Sequence, residues 1–336
     1  TGSNPAPNTL PSTLYSSPFD ITSSATLRIA AWDAAGNRSA TPDNSYSFTI
    51  LNNQPPSIQG NPSGSPDPVK ANTQMTFSIN WSDPNAGDLT KIHICKTSDP
   101  MSGQTCSGGS WCDSASFSSN SPTSCNGTSP ASSASQSYYA FVCDDDNACS
   151  PSKSGTFLVD ATAPIITTFA ITPQSPSWAN NASPSITITW NVSDQGGSHL
   201  DRVRVYRALF GSGCNDSSKT SCVWTQAGSD AVAPPNSDNW NCGATCSDRI
   251  VDNPGSGTWW YGMHVLDKAQ NETAEPTPPG VKKALVDMVN PSTAVTSPTA
   301  GTWFKDNFNA ILDDSDIGGS GLVSGASGCT YRFIGD

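Results

Sequence analysis

Two acidic stretches of the sequence contain enough carboxylates to bind a metal ion. They are CDDDNAC at 143–149 and LDDSDIGGSG at 312–321, and their carboxylates belong to Asp144, Asp145, Asp146, Asp313, Asp314 and Asp316. Ca²⁺ binds several carboxylate and carbonyl oxygens at once, so an acidic turn suits it, but neither stretch has the full spacing of an EF-hand loop. Each is interpreted either as a structural calcium site or as a solvated turn. In the stretch 143–149 a disulfide would close that turn. No other cofactor is predicted.

The three histidines are the residues best suited to act as a general base. His93 and His199 fall in or just before the second strand of their repeats, and His264 falls in a later strand. None lies in a metal-binding spacing or beside a G-x-S-x-G elbow. We therefore predict that they are surface strand residues and that the protein is not an enzyme.

Ten of the eleven cysteines fall into two clusters with even numbers of members. The first contains Cys95, Cys106, Cys112, Cys125, Cys143 and Cys149, and the second contains Cys214, Cys222, Cys242 and Cys246. Even clusters in separate segments indicate disulfides within the domains of an exported protein. Zinc is the alternative, but the chain has no paired C-x-x-C motifs. The eleventh, Cys329, is expected to be a free thiol or to bond to another protomer.

Seven N-x-S/T sequons also indicate a location outside the cell, and each is a candidate glycosylation site. They begin at Asn37, Asn80, Asn126, Asn181, Asn191, Asn215 and Asn271. Asn80 and Asn191 occupy the same repeat position on the solvent-facing side of a strand. We predict that the protein is extracellular or lies at the cell surface.

The composition favours short strands over helices. The 336 residues include 27 Gly and 27 Pro, and only 13% are charged, which suits strands joined by turns. A net charge of −12 disfavours nucleic acid and anionic membrane surfaces, which both require Lys and Arg. No apolar run approaches the ~18 residues of a membrane span. Because residue 1 is not Met, the chain is expected to be a mature product or a piece of a longer protein.

Two sequence units recur along the chain. The opening unit is an alternating strand, a Ser-Asp turn, a Gly-bearing loop and a second strand, and it occurs at 76–96, 186–207 and 308–333. The closing unit is a strand that ends in Asp before a polar turn, and it occurs at 26–40, 137–152 and 259–276. A further strand follows each closing unit. Alternation places Met75, Phe77, Ile79 and Trp81 on one face, which we predict to be core.

The units resemble tandem bacterial Ig-like domains, relatives of the fibronectin type III sandwich that are found in large surface proteins. The resemblance rests on AAWDAAGNRSA at 30–40 and on the domain starts NNQPPSIQG, DATAPIITTFAI and MVNPSTAVTSP. It implies an all-β fold of tandem Ig-like β-sandwich domains in an elongated array. It also implies that Asp33, Asp144 and Asp267 form turns, and it implies no reaction.

The resemblance also guides the disulfide predictions. Because the third and sixth strands of an Ig-like sandwich are neighbours, Cys95 and Cys143 are expected to lie near one another, both pointing outward. Cys143 with Cys149 is the competing pair. In the second cluster the local pairs are favoured, Cys214 with Cys222 and Cys242 with Cys246.

The order of the units predicts that one domain is divided. Residues 54–160 and 162–288 are expected to form complete domains, each with a Cys-rich insertion. Residues 289–336 contain an opening unit without a closing unit, and residues 1–51 contain the reverse. We predict that these halves form one sandwich between successive copies, which are either separate subunits or repeats of one continuous chain.

Two functions from different classes fit these features. The first is a structural, non-catalytic subunit or repeat of a filament or stalk, whose partner is another copy joined head to tail. The second is an adhesin or carbohydrate-binding region of a larger surface protein or secreted enzyme. Its ligands, glycans or cell-surface molecules, would bind at the insertions 97–136 and 208–257. Five tryptophans could stack on sugars there, Trp111, Trp224, Trp240, Trp259 and Trp260.

Overall fold

A computed structural model describes most of the chain and contains strands without helices in the described ranges. These ranges are 15–31, 33–35, 37, 44–50, 52–99, 101, 103–211, 213–219, 221–243, 245–274, 280–317 and 319–322. Within them, no helix is long and apolar enough to cross a membrane. Cys329 lies outside the described residues.

The first sandwich is built from eight strands in two sheets. They are β3 (Ser57–Ser65), β4 (Val69–Lys70), β5 (Gln74–Ser82), β6 (Thr90–Cys95), β7 (Ser110–Asp113), β8 (Thr123–Thr128), β9 (Ala134–Asp144) and β10 (Lys153–Asp160). One sheet has the order β3-β5-β8 and the other has the order β4-β10-β9-β6-β7. All pairs are antiparallel except β4 with β10.

The second sandwich repeats this plan with more short strands. They are β11 (Ile165–Thr172), β12 (Trp178–Asn180), β13 (Ile186–Ser193), β14 (Leu200–Leu209), β15 (Thr225–Gln226), β16 (Ala231–Val232), β17 (Asn239–Cys242), β18 (Ile250–Asp252), β19 (Gly257–Asp267), β20 (Glu272–Ala274) and β21 (Lys282–Asp287). One sheet has the order β11-β13-β17, with β18 also on β13. The other has the order β12-β21-β19-β14-β15, with β16 on β14 and β20 on β19.

The strand order of both sandwiches is Ig-like. In an Ig domain, strands A, B and E share one sheet and strands C, F and G share the other. In the first sandwich β3, β5 and β8 take the first set of positions, and β6, β9 and β10 take the second. The predicted all-β sandwich fold is confirmed.

Alternation along the central strands builds the cores. Met75, Phe77, Ile79 and Trp81 of β5 are all buried, as predicted. In β13 the buried residues are Ile186, Ile188, Trp190 and Val192. Because successive side chains of a strand face opposite sides, each β5 or β13 residue of this parity packs between the two sheets.

Two further strand pairs lie outside the sandwiches. They are β1 (Ala25–Ile29) with β2 (Asn44–Phe48), and β22 (Ser292–Ser297) with β23 (Ile311–Ser315). Each pair is antiparallel and forms its own two-stranded sheet. The β1-β2 and β22-β23 sheets therefore have no second layer among the described strands.

Candidate functional site

Three buried carboxylates meet where the first sandwich joins the second. Asp160 is the last residue of β10, Asp194 follows β13 directly, and Asp267 is the last residue of β19. Their carboxylate oxygens lie within 4.8 Å of one another, and all three residues are buried. We call this set the junction cluster.

Local turns hold the Asp267 carboxylate in the junction cluster. Oδ1 accepts a hydrogen bond from the Asn271 N–H at 2.8 Å, and Oδ2 accepts one from Asn271 Nδ2 at 2.8 Å. Asn271 Nδ2 also donates to the Asp160 carbonyl oxygen at 3.1 Å. One asparagine therefore ties the turn after β19 to the end of β10 in the preceding sandwich.

Backbone N–H groups position the other two carboxylates. Asp160 accepts hydrogen bonds from the N–H groups of Thr162 at 2.8 Å and Ser198 at 3.2 Å, and Asp194 Oδ1 accepts one from Gly196 at 3.1 Å. A Cβ at Gly196 would collide with the Asp160 carboxylate, so the close approach of the two sandwiches requires glycine there.

The electrostatics of the junction cluster are unfavourable to three bare charges. Burial, with the charges of Asp160 and Asp194, raises the pKa of Asp267 to about 6, although hydrogen bonds from Asn271 lower it. Burial also raises the pKa of Asp194. In the part of the chain that the structure describes, no basic side chain forms an ion pair with any of the three.

Two buried polar atoms at the junction cluster have no hydrogen-bond partner among the residues that the structure describes. They are Asp194 Oδ2 and Ser198 Oγ, and both residues are at most 3% exposed. A buried oxygen without a partner costs roughly 1–3 kcal/mol. In folded proteins most buried polar atoms have a hydrogen-bond partner, so these two are exceptions.

A related cluster occurs at the start of the first sandwich. Asp83, Asp88 and Asp144 bring carboxylate oxygens within 4.8 Å of one another. Asn53 Nδ2 donates to Asp144 Oδ2 at 3.0 Å, and Asp83 Oδ2 is buried without a partner. This cluster therefore joins the turns after β5 and β9 to the segment that precedes β3.

The carboxylates of the two acidic stretches lie in different surroundings. Of Asp144, Asp145 and Asp146, only Asp144 belongs to a cluster. Asp145 Oδ1 instead accepts a hydrogen bond from the Leu89 N–H at 3.1 Å. Asp313 and Asp314 are consecutive residues of β23, so their side chains point to opposite faces of the strand.

Two hydrogen-bond arrangements of the junction cluster recur near the ends of the described chain. Asp287 Oδ2 accepts a hydrogen bond from the Ser320 N–H at 3.0 Å, as Asp160 Oδ2 does from Ser198. Asp33 accepts bonds from the N–H and Nδ2 of Asn37, both at 2.8 Å. This is the arrangement of Asp267 with Asn271.

All ten cysteines of the two clusters form disulfides. The pairs are Cys95–Cys106, Cys112–Cys125, Cys143–Cys149, Cys214–Cys222 and Cys242–Cys246. The last two are the local pairs favoured from the sequence. Cys112–Cys125 connects β7 to β8 and therefore links the two sheets of the first sandwich.

The expected proximity of Cys95 and Cys143 is wrong. Their strands β6 and β9 are neighbours, but the antiparallel register pairs Cys95 with Tyr139 and Cys143 with Lys91. Both cysteines are also buried, and the insertion folds over the outer face of this sheet at Cys95. Cys95 and Cys106 pack there with Phe141 and with the partly buried Met101.

The sequons differ in accessibility. Asn37, Asn80, Asn126 and Asn181 are exposed, and Asn191 and Asn215 are partly buried. Asn271 is only 4% exposed and its Nδ2 already donates to two oxygens. A glycan at Asn271 is therefore incompatible with the folded junction, because the amide lies between two sandwiches.

The histidines and tryptophans are more enclosed than predicted. The His93 side chain is 3% exposed and its Nδ1 lies 2.7 Å from Asp113 Oδ1, so His93 is not a surface residue. Trp240 and Trp260 are buried, Trp240 against Trp190 at 5.0 Å between ring centroids. Trp111, Trp224 and Trp259 are partly buried. Trp240 and Trp260 are therefore core residues, whereas the other three rings keep part of their surface exposed.

Comparisons with known proteins identify no family for this chain, so its fold is assigned from the strand order. No protein-family model matches the chain, and no curated protein matches it. Solved structures that align with it include fibronectin(III)-like modules of Clostridium thermocellum CbhA, at 16% identity and a TM-score of 0.35, over 67% of this chain and 93% of that one. The FN1–FN3 domains of chicken CNTN1 align at 10% identity and a TM-score of 0.36, over 78% and 74%. A 1.5-MDa bacterial ice-binding adhesin aligns at 15% identity and a TM-score of 0.32, over 77% and 73%.

Proposed function

We propose that the protein is a non-catalytic structural segment of an extracellular or cell-surface filament or stalk. In this proposal residues 289–336 of one copy and 1–51 of the next form one Ig-like sandwich. The observation that carries it is the pair of two-stranded sheets, β1-β2 and β22-β23, whose apolar side chains are exposed.

The two end sheets correspond to complementary parts of a sandwich. β22 and β23 pair as β11 and β13 do, and the SDIGGS turn follows β23 as the SDQGGS turn follows β13. β1 and β2 pair as β9 and β10 do, and a turn held by Asp33 follows β1. A sandwich requires both parts, because each sheet buries one face against the other.

Exposed apolar residues mark the faces that a second layer would cover. Phe48 in β2 is 44% exposed, whereas the aromatic residue near the same point of β10, Phe157, is 1% exposed. In the β22-β23 sheet Ile311 is 57% exposed. Further exposed apolar side chains on these sheets are Ile29, Tyr46, Val295 and Leu312. A two-stranded sheet alone is at best marginally stable in water, and exposed apolar patches commonly mark interfaces.

The junction residues support the same pairing of parts. Asp287, Ser320 and Asp316 occupy the places of Asp160, Ser198 and Asp194, and the place of Asp267 falls to Asp33 of the next copy. A contact between the tail of one copy and the head of the next does not close on itself, so it extends in one direction. The result is a linear array, whether the copies are separate subunits or one continuous chain.

The proposal is tested with the 336-residue chain and a variant of an exposed apolar residue. We expect the wild type to associate into linear species as concentration rises, seen by light scattering after size-exclusion chromatography and by negative-stain electron microscopy. Phe48→Asp should remain monomeric, because a carboxylate would be buried in the new core. Val232→Asp is the matched control, since Val232 is 70% exposed on β16 of the second sandwich.

A monomer at every concentration, with 1–51 packed on 289–336 of the same chain, would contradict the proposal. Denaturing electrophoresis of material from the native source then separates the two kinds of array. Separate subunits should give a band near 35.0 kDa, or a ladder that reduction collapses. A continuous repeat should give a very large species that survives reduction.

A further inference from the structure

We propose that a cleft on the outer face of the first sandwich binds a small hydroxylated carboxylate. The ligand would be a free hydroxy acid or the terminal acidic sugar of a glycan, which carry the same two groups. The cleft has a volume of about 250 Å³ and lies between β6 and residues 104–113, with Lys91 and His93 in its wall. These residues belong to one copy, so the inference does not rest on the proposed joining of copies.

The alternation of β6 brings the two basic side chains of the cleft together. Ile92 lies between Lys91 and His93 in the strand and is buried in the core between the two sheets. Because successive side chains of a strand face opposite sides, Lys91 and His93 both point outward. The insertion folds over this outer face and forms the opposite wall of the cleft.

Two ties hold the insertion over the cleft. The Cys95–Cys106 disulfide joins the end of β6 to the insertion. Gln104 Nε2 donates hydrogen bonds to the Asp144 carbonyl oxygen at 2.6 Å and to Asn147 Oδ1 at 3.1 Å, which fixes the insertion to the turn after β9. A wall that is already ordered loses little conformational entropy when a small ligand binds.

His93 presents a hydrogen-bond acceptor that has no partner. Its Nδ1 lies 2.7 Å from Asp113 Oδ1, and Asp113 Oδ2 accepts a hydrogen bond from Ser110 Oγ at 2.7 Å. A carboxylate at Nδ1 places the proton on that nitrogen, so Nε2 of the neutral ring carries the lone pair. Nε2 is buried without a partner among the described residues. A group that binds to Nε2 must therefore donate a hydrogen bond, as a hydroxyl does.

Lys91 supplies a positive charge to the same cleft. Its side chain is half-buried, with Nζ 5.9 Å from the centroid of the Phe117 ring. Within the described ranges Lys91 forms no ion pair. Salt screens exposed charges beyond about 8 Å, so the net charge of −12 acts weakly on a ligand in the cleft. A carboxylate on the ligand would pair with the Lys91 ammonium.

The volume of the cleft limits the size of the ligand. Pockets for drug-sized molecules measure about 300–1,000 Å³, whereas one water occupies roughly 30 Å³. A cleft of about 250 Å³ therefore suits a molecule no larger than one sugar ring. A simple carboxylate lacks the donor for His93, and a neutral sugar lacks the charge for Lys91. A hydroxylated carboxylate has both groups.

The test is a titration of the whole 336-residue chain, with isotope-labelled histidine, by sodium D-glucuronate and NMR. The chain has three histidines, so single variants assign their ring signals. We expect a Kd of about 10⁻³ M, as for other ligands of this size. The Nε2 signal of His93 should shift, because a hydroxyl donates to its lone pair. The signals of His199 and His264 should not move.

Variants of Lys91 test the charge separately from the fold. Lys91→Gln should weaken binding about 10-fold, because a hydrogen bond between charged groups is lost. Lys91→Arg keeps the charge and should bind more tightly than Lys91→Gln. Lys70→Gln is the matched control, since Lys70 is exposed on β4 of the same sandwich and the change in charge is the same. Without ligand, all three variants should unfold near the wild-type temperature, because neither lysine lies in the core.

Other ligands test the two groups and the source. Acetate and D-glucose each carry one of the two groups, so each should bind at least about 10-fold more weakly than D-glucuronate. D-glycerate is a small hydroxy acid. If it binds as tightly as D-glucuronate, the source is a free hydroxy acid, and if it binds more weakly, the source is an acidic sugar.

Three results would overturn the inference. One is a His93 Nε2 signal that does not shift in D-glucuronate or D-glycerate at about 50 mM, far above the expected Kd. Another is binding of D-glucose or acetate as tight as that of D-glucuronate. The third is a Lys91→Gln chain that binds D-glucuronate as tightly as Lys70→Gln does.

Discussion

At the residue scale, His93 shows how an insertion changes a side chain's chemistry. Burial lowers the pKa of His93 below its ordinary value, while Asp113 opposes the shift and Lys91 adds to it. Its Nε2 is buried without a partner. The protonated form is therefore less stable in the folded state than in the unfolded state.

We predict that the first sandwich loses stability as the pH falls through the pKa of an unfolded histidine, about 6.5. With a lower folded pKa, the unfolded state binds more protons in this window, so the free energy of unfolding decreases with acidification. Urea unfolding at a series of pH values should show this loss, and His93→Gln should reduce it. His264→Gln, a change in the second sandwich, should leave it in place. An unchanged pH dependence in His93→Gln would show that other groups cause the loss.

The same residues show what the sequence could and could not predict. Alternation identified Phe77 and Ile79 as core, because the parity of a strand follows from local geometry. The prediction that His93 is a surface residue was wrong, because the insertion covers the outer face of its strand, and the sequon at Asn271 did not indicate that the preceding sandwich buries this residue. Asp160 was not predicted to be a site residue. Nothing local in the sequence distinguishes a strand-end Asp in solvent from one that is buried at a domain contact.

At the element scale, the segment predicted as an insertion, 97–136, contains an added strand, β7, and also β8, which belongs to the Ig plan. β7 extends the sheet of β6, β8 extends the sheet of β5, and the Cys112–Cys125 disulfide joins them. Trp111 of β7 packs on Phe157 in the core at 5.2 Å between ring centroids. The even number of cysteines predicted bonds within this domain, but the pairing depended on how the insertion folds back.

We predict that replacing both Cys112 and Cys125 with Ala lowers the free energy of unfolding of the first sandwich by about 3 kcal/mol. The two cysteines are 13 residues apart, so the bond closes a loop and restricts the conformations of the unfolded chain. The matched control replaces Cys143 and Cys149, which close a turn 6 residues apart, and should cost less. Chemical denaturation of the oxidised chains measures both. A larger loss for the control would place the main constraint at the turn after β9.

At the scale of the whole molecule, stability is expected to be uneven along the chain. Each sandwich has a buried core of its own, with residues such as Phe77 in the first and Trp190 in the second. The β1-β2 and β22-β23 sheets have exposed apolar faces and no second layer in the described structure. The free energy of local opening should therefore be small in these end sheets. In β5, β9, β13 and β19 it should be close to the global free energy of unfolding.

Hydrogen exchange followed by mass spectrometry makes this difference measurable. In dilute protein we predict that amides of β1, β2, β22 and β23 exchange rapidly, because an isolated two-stranded sheet opens readily. At concentrations where copies join, protection should rise in these four strands together, since each end sheet supplies the layer that the other lacks. The central strands should not change, which makes them an internal control.

In Phe48→Asp the end sheets should stay unprotected at every concentration, whereas Val232→Asp should behave as the wild type. Strong protection of the end sheets in the dilute monomer would mean that they are already covered, and it would rule out a sandwich shared between copies.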